Sequence, residues 1–230
     1  MKINIFEFAE GARNATGLTV IIDVFRAFSV ACYALDAGAI SYITCSSVEE
    51  AFNLKKKYRK AILIGERNER KIEGFDLGNS PTEILTADLN DRIVIHTTTA
   101  GTMGLANARA ATQLVTGSLV NAGSVIEYIK RTGAKEVSLV AMGYRGETSA
   151  DEDLLCAEII AAGLRNETTD FTKRIAALKD GPGKRFFLPE NIEFSPPSDF
   201  FLCTMADRFS FVIKATPRHD GNIDLTRIDL

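Results

Sequence analysis

Short apolar runs alternate with amphipathic stretches over most of the chain. Residues 18–23 form an apolar run that ends in a carboxylate, as a buried strand does. Residues 25–37 follow with helical spacing and stop at Gly38. Residues 40–44 predict a second strand, and Ser47-Val-Glu-Glu50 is a capping box opening a helix through Tyr58. Residues 61–65 and 92–97 predict two more strands, the second passing through Thr98-Thr-Ala-Gly-Thr102 into an alanine-rich helix. A short strand at 113–116, a helix at 122–130 and a strand at 137–141 come next, then helices at 149–164 and 168–178. This alternation predicts an α/β fold of three layers, α/β/α, around a largely parallel or mixed sheet. Beyond the break at Asp180-Gly-Pro-Gly183 only residues 209–214 read as a strand. Residues from about 180 are therefore expected as a C-terminal α+β elaboration on a single domain, 1–230, with two closely packed lobes as the alternative.

The stretch Gly74-Phe-Asp-Leu-Gly-Asn-Ser-Pro81 adds the first chemistry. Asp76, Asn79 and two glycines precede a helix start with Ser80 as N-cap, Pro81 as first helical residue and Glu83 as return partner of a Ser-x-x-Glu box. Free amides at such a terminus suit an anion such as phosphate, and the carboxylate and amide beside it suit a hard cation. Taken alone, the stretch is first of all a glycine-rich turn before a capped helix.

Its neighbours change that. In open α/β sheets ligands bind beyond the carboxyl ends of the strands. Those ends deliver Asp23 and Arg26, then Glu66, Arg67 and Asn68, then Thr97 to Thr102, then Tyr144, Arg145 and the acidic trio Asp151-Glu-Asp153. Each has a plain structural reading. Asp23 is placed to cap the following helix, and Ser149-x-x-Glu152 is itself a capping box that makes Glu152 structural. Together they describe phosphate-monoester recognition with a divalent ion: carboxylates for Mg²⁺, threonine hydroxyls and glycine amides for phosphate, an arginine for the remaining charge.

Composition narrows the chemistry further. With 46% hydrophobic and 25% charged residues and a net charge of −3, the chain predicts a globular protein with no pull towards nucleic acid or an anionic membrane. No apolar run is long enough for a transmembrane helix, and Asn4 and Glu7 interrupt the apolar N-terminus, so a cytoplasmic location is expected. The four cysteines form no Cys-x-x-Cys pair, and two histidines do not make a histidine-rich metal site. No Gly-x₄-Gly-Lys-Ser/Thr loop is present, Asp23-Val-Phe-Arg26 lacks the second aspartate of Asp-x-Asp phosphatases, and Cys203 and Arg208 stand one residue too close for a cysteine-phosphatase loop.

Ile22-Asp-Val-Phe-Arg-Ala27, Gly65-Glu-Arg-Asn68, Gly74 to Pro81, Thr98 to Thr102, Gly117-Ser-Leu-Val-Asn-Ala122 and Ser149-Ala-Asp-Glu-Asp153 resemble, in this order, the motifs of the 2-phosphosulfolactate phosphatase family. The resemblance runs from about Asp23 to Asp153; Ala100 departs from it, many relatives having Asn there. It implies a Mg²⁺-dependent phosphoric monoester hydrolase that cleaves (2R)-2-phospho-3-sulfolactate to 3-sulfolactate and phosphate, a step of coenzyme M biosynthesis. On that basis Asp23, Glu66 and Asp153 are the expected metal ligands and, with Asp76, the catalytic carboxylates. Arg26, Arg67, Asn79, Thr98, Thr99, Gly101 and Thr102 are the expected substrate contacts, the two arginines dividing phosphate and the second anion between them. Water attack is favoured over a phosphoenzyme. A homodimer is the default assembly for such an enzyme. The alternatives are another small anionic phosphoester as substrate, or a non-catalytic anion-binding module.

Overall fold

The computed structural model describes residues 1–230. The chain opens with β1 (Lys2–Glu7) and α1 (Phe8–Asn14), which lie outside the predicted elements. β1 is half-exposed, so it lacks the continuous apolar run that marks the inner strands. β2 (Gly17–Ile22) is buried from Leu18 onward and leads through a turn at Asp23 into the almost wholly buried α2 (Ala27–Asp36). β3 (Ser41–Thr44) precedes α3 (Val48–Lys57), where the Glu50 amide donates to Ser47 Oγ at 3.1 Å, as the capping box predicts. β4 (Ile62–Arg67) turns back on the two-residue β5 (Arg70–Lys71), and α4 (Pro81–Thr86) follows.

The alternation continues through β6 (Ile93–Thr97), α5 (Gly101–Asn107), β7 (Ala111–Gly117), α6 (Ala122–Thr132), β8 (Glu136–Ala141) and α7 (Asp151–Arg165). After α8 (Thr172–Ala177), a 3₁₀ turn at Pro182–Phe187 and α9 (Pro197–Thr204) lead to the hairpin strands β9 (Phe211–Pro217) and β10 (Ile223–Asp229).

All ten strands join one sheet in the order β1-β8-β2-β7-β9-β10-β3-β6-β4-β5. Two parallel blocks, β1-β8-β2-β7 and β3-β6-β4, are bridged by the antiparallel β9 and β10. The sheet is thus mixed and mostly parallel within an α/β fold, as predicted. The C-terminal hairpin, however, is its centre rather than an elaboration at its margin. Its three successive antiparallel pairings reverse strand direction between the blocks. Six steps separate β2 from β4. Asp23 after β2 and Glu66 in β4 nonetheless line one cleft.

Period-two alternation along the strands feeds separate cores on the two faces. Val20 and Ile22 pack with α6 and α7 in one apolar cluster, whereas Ile21 between them packs with α2 and α5 in another. A smaller cluster joins α3 to Ile43, Leu63 and Ile95. Each such fully buried side chain contributes about 1.5–3 kcal/mol.

Candidate active site

The loop after β2, the end of β4 and the first turn of α7 bring four carboxylates together. Asp23 follows β2; the Ala27 amide at the first residue of α2 donates to its Oδ1 at 3.1 Å, although the N-cap position itself is Arg26. Its other oxygen faces Gly101, where an added Cβ would lie 2.9 Å from Oδ2. Only a glycine lets α5 begin this close to the carboxylate. Glu66, near the end of β4, accepts from the Thr99 amide on Oε1 and from the Glu69 amide on Oε2, both at 2.8 Å. Asp153, in the first turn of α7, accepts from the Val24 amide at 2.7 Å and the Gly143 amide at 2.9 Å, tying the loops after β2 and β8 together. Gly143 holds φ +70°, where a Cβ would also strike the Thr148 carbonyl at 2.4 Å.

The fourth carboxylate is Glu152, which is not the capping residue that its Ser-x-x-Glu spacing predicts. Ala150, not Ser149, is the N-cap of α7, and no side chain caps it, so the predicted Ser149–Glu152 box does not form. Glu152 instead lines the cleft, buried, with Oε2 lacking any partner.

These groups share a cleft of about 50 Å³ with Asn79, Thr98, Thr99 and the side chains described below. Burial drives the Asp23 carboxyl up to about 6, a shift that Glu66 adds to while the Ala27 amide and Arg185 oppose it. Burial likewise lifts Glu152 to about 7, helped by Asp23 and Asp151 and opposed by Arg185. Asp153 is raised well above its ordinary value by burial, then by Glu152 and Asp23.

The sign of the resulting pH dependence is fixed. Raised native pKa values mean that the folded protein holds more protons than the unfolded chain across this window. Without a cation, their contribution to stability is full below about pH 4 and is lost as pH rises through about 6 and 7. Denaturant unfolding in the presence of a chelator should therefore show lower stability at about pH 8 than at about pH 5. Constant stability across that interval would contradict the charge cluster.

The arginines depart from expectation. Arg26 is buried and bonded to Asp199 Oδ2 at 2.7 Å, to the Phe194 carbonyl at 2.7 Å and to the Glu69 carbonyl at 3.3 Å. It borders the cleft, but its guanidinium is committed to the fold. Arg67 turns to Thr97 Oγ1 and its neighbour's carbonyl, and it lines an adjoining groove with Thr102. The Thr102 hydroxyl donates to the Thr98 carbonyl at 2.7 Å. Thr98 and Thr99 form the wall that the groove and the cleft share.

Asp76 lies outside the cleft: its Oδ2 accepts from the Leu63 amide at 2.8 Å and Lys55 Nζ at 3.1 Å, pinning the loop to β4. The helix start that the sequence offered to phosphate is also filled. Asp199 Oδ1 accepts from Ser80 Oγ at 2.8 Å, the Thr82 amide at 3.0 Å and Thr82 Oγ1 at 2.7 Å. Ser80 and Pro81 cap α4 as predicted, but Glu83 reaches the Gly78 amide rather than Ser80. An internal carboxylate takes the place of the external anion. Asn79 alone of that stretch lines the cleft, with Oδ1 buried and unpaired.

Glu69 and Arg185, absent from the expected set, form an ion pair at the cleft. Glu69 sits in the β4–β5 turn, and Arg185 in the 3₁₀ turn after Gly-Pro-Gly, anchored by the adjacent Phe186, whose ring meets Phe25 edge-on at 5.0 Å. Glu69 follows the carboxyl end of β4, whereas Arg185 follows no strand. No local pattern marked them, although Glu69 directly follows the Glu-Arg-Asn motif.

No three acidic, histidine or cysteine side chains stand together as a ready metal cage. Glu66 and Asp153 each hold two backbone amides instead. The donor set nevertheless suits Mg²⁺. It consists of hard oxygens, with surplus buried negative charge and an orphaned carboxylate oxygen, and Mg²⁺ commonly takes only one or two direct carboxylates and keeps its remaining waters.

A family model described as 2-phosphosulpholactate phosphatase matches residues 5–182. A probable 2-phosphosulfolactate phosphatase of Caldanaerobacter subterraneus is 41% identical over 154 residues, 66% of this chain and 63% of the relative. One of Carboxydothermus hydrogenoformans is 39% identical over 153 residues, 66% and 63% of the two chains. The chain thus spans just under two thirds of the length of these relatives. A Bacillus subtilis protein of the same description is 30% identical over 227 residues, 97% of this chain and 96% of its own. With most of its length matched by the family model, and with the motif carboxylates Asp23, Glu66 and Asp153 gathered at one cleft, the chain belongs to the 2-phosphosulpholactate phosphatase family.

Proposed function

We propose that the protein is a Mg²⁺-dependent phosphatase that hydrolyses (2R)-2-phospho-3-sulfolactate to (2R)-3-sulfolactate and phosphate, the step the family resemblance places in coenzyme M biosynthesis. One observation carries this reading: Asp23, Glu66, Glu152 and Asp153 converge, buried, in one cleft. Unneutralised carboxylates repel an anionic ester, so a pocket built only to bind anions would not gather them. A cation resolves the conflict.

Asp23, Glu66 and Asp153 would hold the ion, some directly and some through water. A bound Mg²⁺ would supply positive charge against the charge that develops on the phosphoester. The protein's own groups supply position and protons. Thr98, Thr99 and Asn79 line the place where phosphoryl oxygens would rest. Phosphoryl transfer passes through a loose transition state and asks mainly for such positioning. Glu152 Oε2, raised towards neutrality and otherwise unpaired, is suited to carry the proton needed by the leaving alkoxide. As water adds to phosphorus, the ester P–O bond breaks and that oxygen takes the Glu152 proton. The water's own proton enters the same carboxylate cluster and resets it. Water attack fits this arrangement, since both oxygens of Glu66 and of Asp153 are engaged by backbone amides rather than free as a nucleophile.

Phosphate release from a panel of small phosphoesters, measured with Mg²⁺ and with excess chelator, tests the metal role. Release should disappear on chelation and return with Mg²⁺. Activity indifferent to chelation would remove the ion from the mechanism, and a trapped phosphoenzyme would replace water attack.

A further inference from the structure

Three arginines border the cleft, and they are not equivalent. Arg26 is satisfied by Asp199 and two carbonyls, and Arg145 lies exposed over the Tyr144 ring. Arg185 is held differently. Its guanidinium carbon sits 5.1 Å from the Phe186 ring centre, 5.5 Å from that of Tyr144 and 5.9 Å from that of Phe25. The rings crowd the flat ion and leave its edges for hydrogen bonds. One edge bonds the Glu69 carboxylate, one terminal nitrogen donates to the Phe25 carbonyl at 3.2 Å, and the buried Nε–H has no partner. A planar fork with an unmade donor is the arrangement that takes a carboxylate or similar oxyanion in paired hydrogen bonds.

Its present occupant is a side chain of that kind. Glu69 holds φ +69°, in the left-handed region, at the tip of the β4–β5 turn, its amide fixed on Glu66. The pair lines the cleft, with the two side chains 19% and 21% exposed.

We propose that Arg185 is the specificity-determining residue of the cleft. Its guanidinium receives a carboxylate or sulfonate on the non-reacting end of the phosphoester, and Glu69 is the internal stand-in displaced when that anion arrives. The proposal rests on the phosphatase reading only for the identity of the molecule that carries the anion. Arg185 lies beyond the residues matched by the family model, which end at 182. The C-terminal segment supplies this residue to the cleft, and the Bacillus subtilis relative aligns across that segment too. Arg26 fixes that segment in place through Asp199, rather than binding substrate itself.

The test uses the full chain and three esters: isopropyl phosphate with no second anion, 2-phospholactate with a carboxylate, and 2-phosphosulfolactate with a carboxylate and a sulfonate. Arg185→Gln should reduce the preference, as kcat/KM relative to isopropyl phosphate, about 10- to 100-fold, mainly through KM, with Arg185→Lys intermediate. Loss of preference for both anionic esters assigns the carboxylate; loss for the sulfonated ester alone assigns the sulfonate. Glu69→Gln should act in the opposite direction and lower KM for the anionic esters, because a competitor has been weakened. A merely structural ion pair would make both variants worse.

Calorimetric titration of 3-sulfolactate into wild-type and variant proteins gives the same comparison without turnover. Arg185-dependent binding with no phosphate release would keep this proposal and end the phosphatase reading. Equal losses on all three esters, no loss, or binding insensitive to Arg185 would overturn the proposal. Thermal melts of each variant confirm the fold.

Discussion

Asp23→Asn is expected to lower kcat for phosphate release about 10²- to 10⁴-fold without harming the fold. The two effects separate because Asp23 has two jobs. Its Oδ1 accepts the Ala27 amide at the start of α2, and an asparagine oxygen does the same. Its negative charge is the part that the proposed reaction needs, and burial already disfavours that charge. At about pH 8, where the wild-type carboxylate is ionised, the amide relieves a buried charge and should leave the melting temperature equal or higher. Steady-state kinetics beside a thermal melt make the check. Full activity in Asp23→Asn would mean that the residue holds the start of α2 and nothing more.

Asp199→Ala should give the largest loss of stability. Asp199 and Arg26 form an ion pair with side chains 0% and 3% exposed, at 2.7 Å. The aspartate's other oxygen satisfies Ser80 and Thr82 at the start of α4. Removing it strands a buried guanidinium and unmakes a helix terminus at once. Breaking one side of a buried pair costs about 3–5 kcal/mol. In a chain of this size that corresponds to a fall in melting temperature of roughly 6–20 °C. Asp199→Asn keeps an acceptor and should lose less. A shift of only a degree or two in Asp199→Ala would show that water reaches and satisfies Arg26.

Much of the architecture was legible because its causes are local or one-dimensional. Apolar runs such as Thr19–Ile22 and Val137–Ala141 announce strands buried on both faces, and Ser47, Ser80 and Pro81 announce helix starts through contacts within a few residues. The place of β9 and β10 was not legible. Their partners, such as Leu114 for Ala215 and Ile43 for Asp224, lie far away in sequence, and nothing in a late apolar run says that it will separate two parallel blocks.

The cleft divides the same way. Asp23, Glu66, Thr98 and Asp153 were visible as polar residues at or near strand ends and helix starts. Sequence order could not show that Asp199 would claim both Arg26 and the α4 terminus, or that Asp76 would turn towards Lys55. Nor could it show Arg185, which reaches the cleft through the packing of Phe186 against Phe25 rather than through any strand.

The central claim is that this cleft hydrolyses a phosphate monoester bearing a second anion. The most direct measurement is inorganic phosphate released with Mg²⁺ from (2R)-2-phospho-3-sulfolactate, compared with isopropyl phosphate. One phosphate should be released per sulfolactate formed, with a higher kcat/KM for the sulfonated ester. No release from either ester, or equal kcat/KM for both, would contradict it.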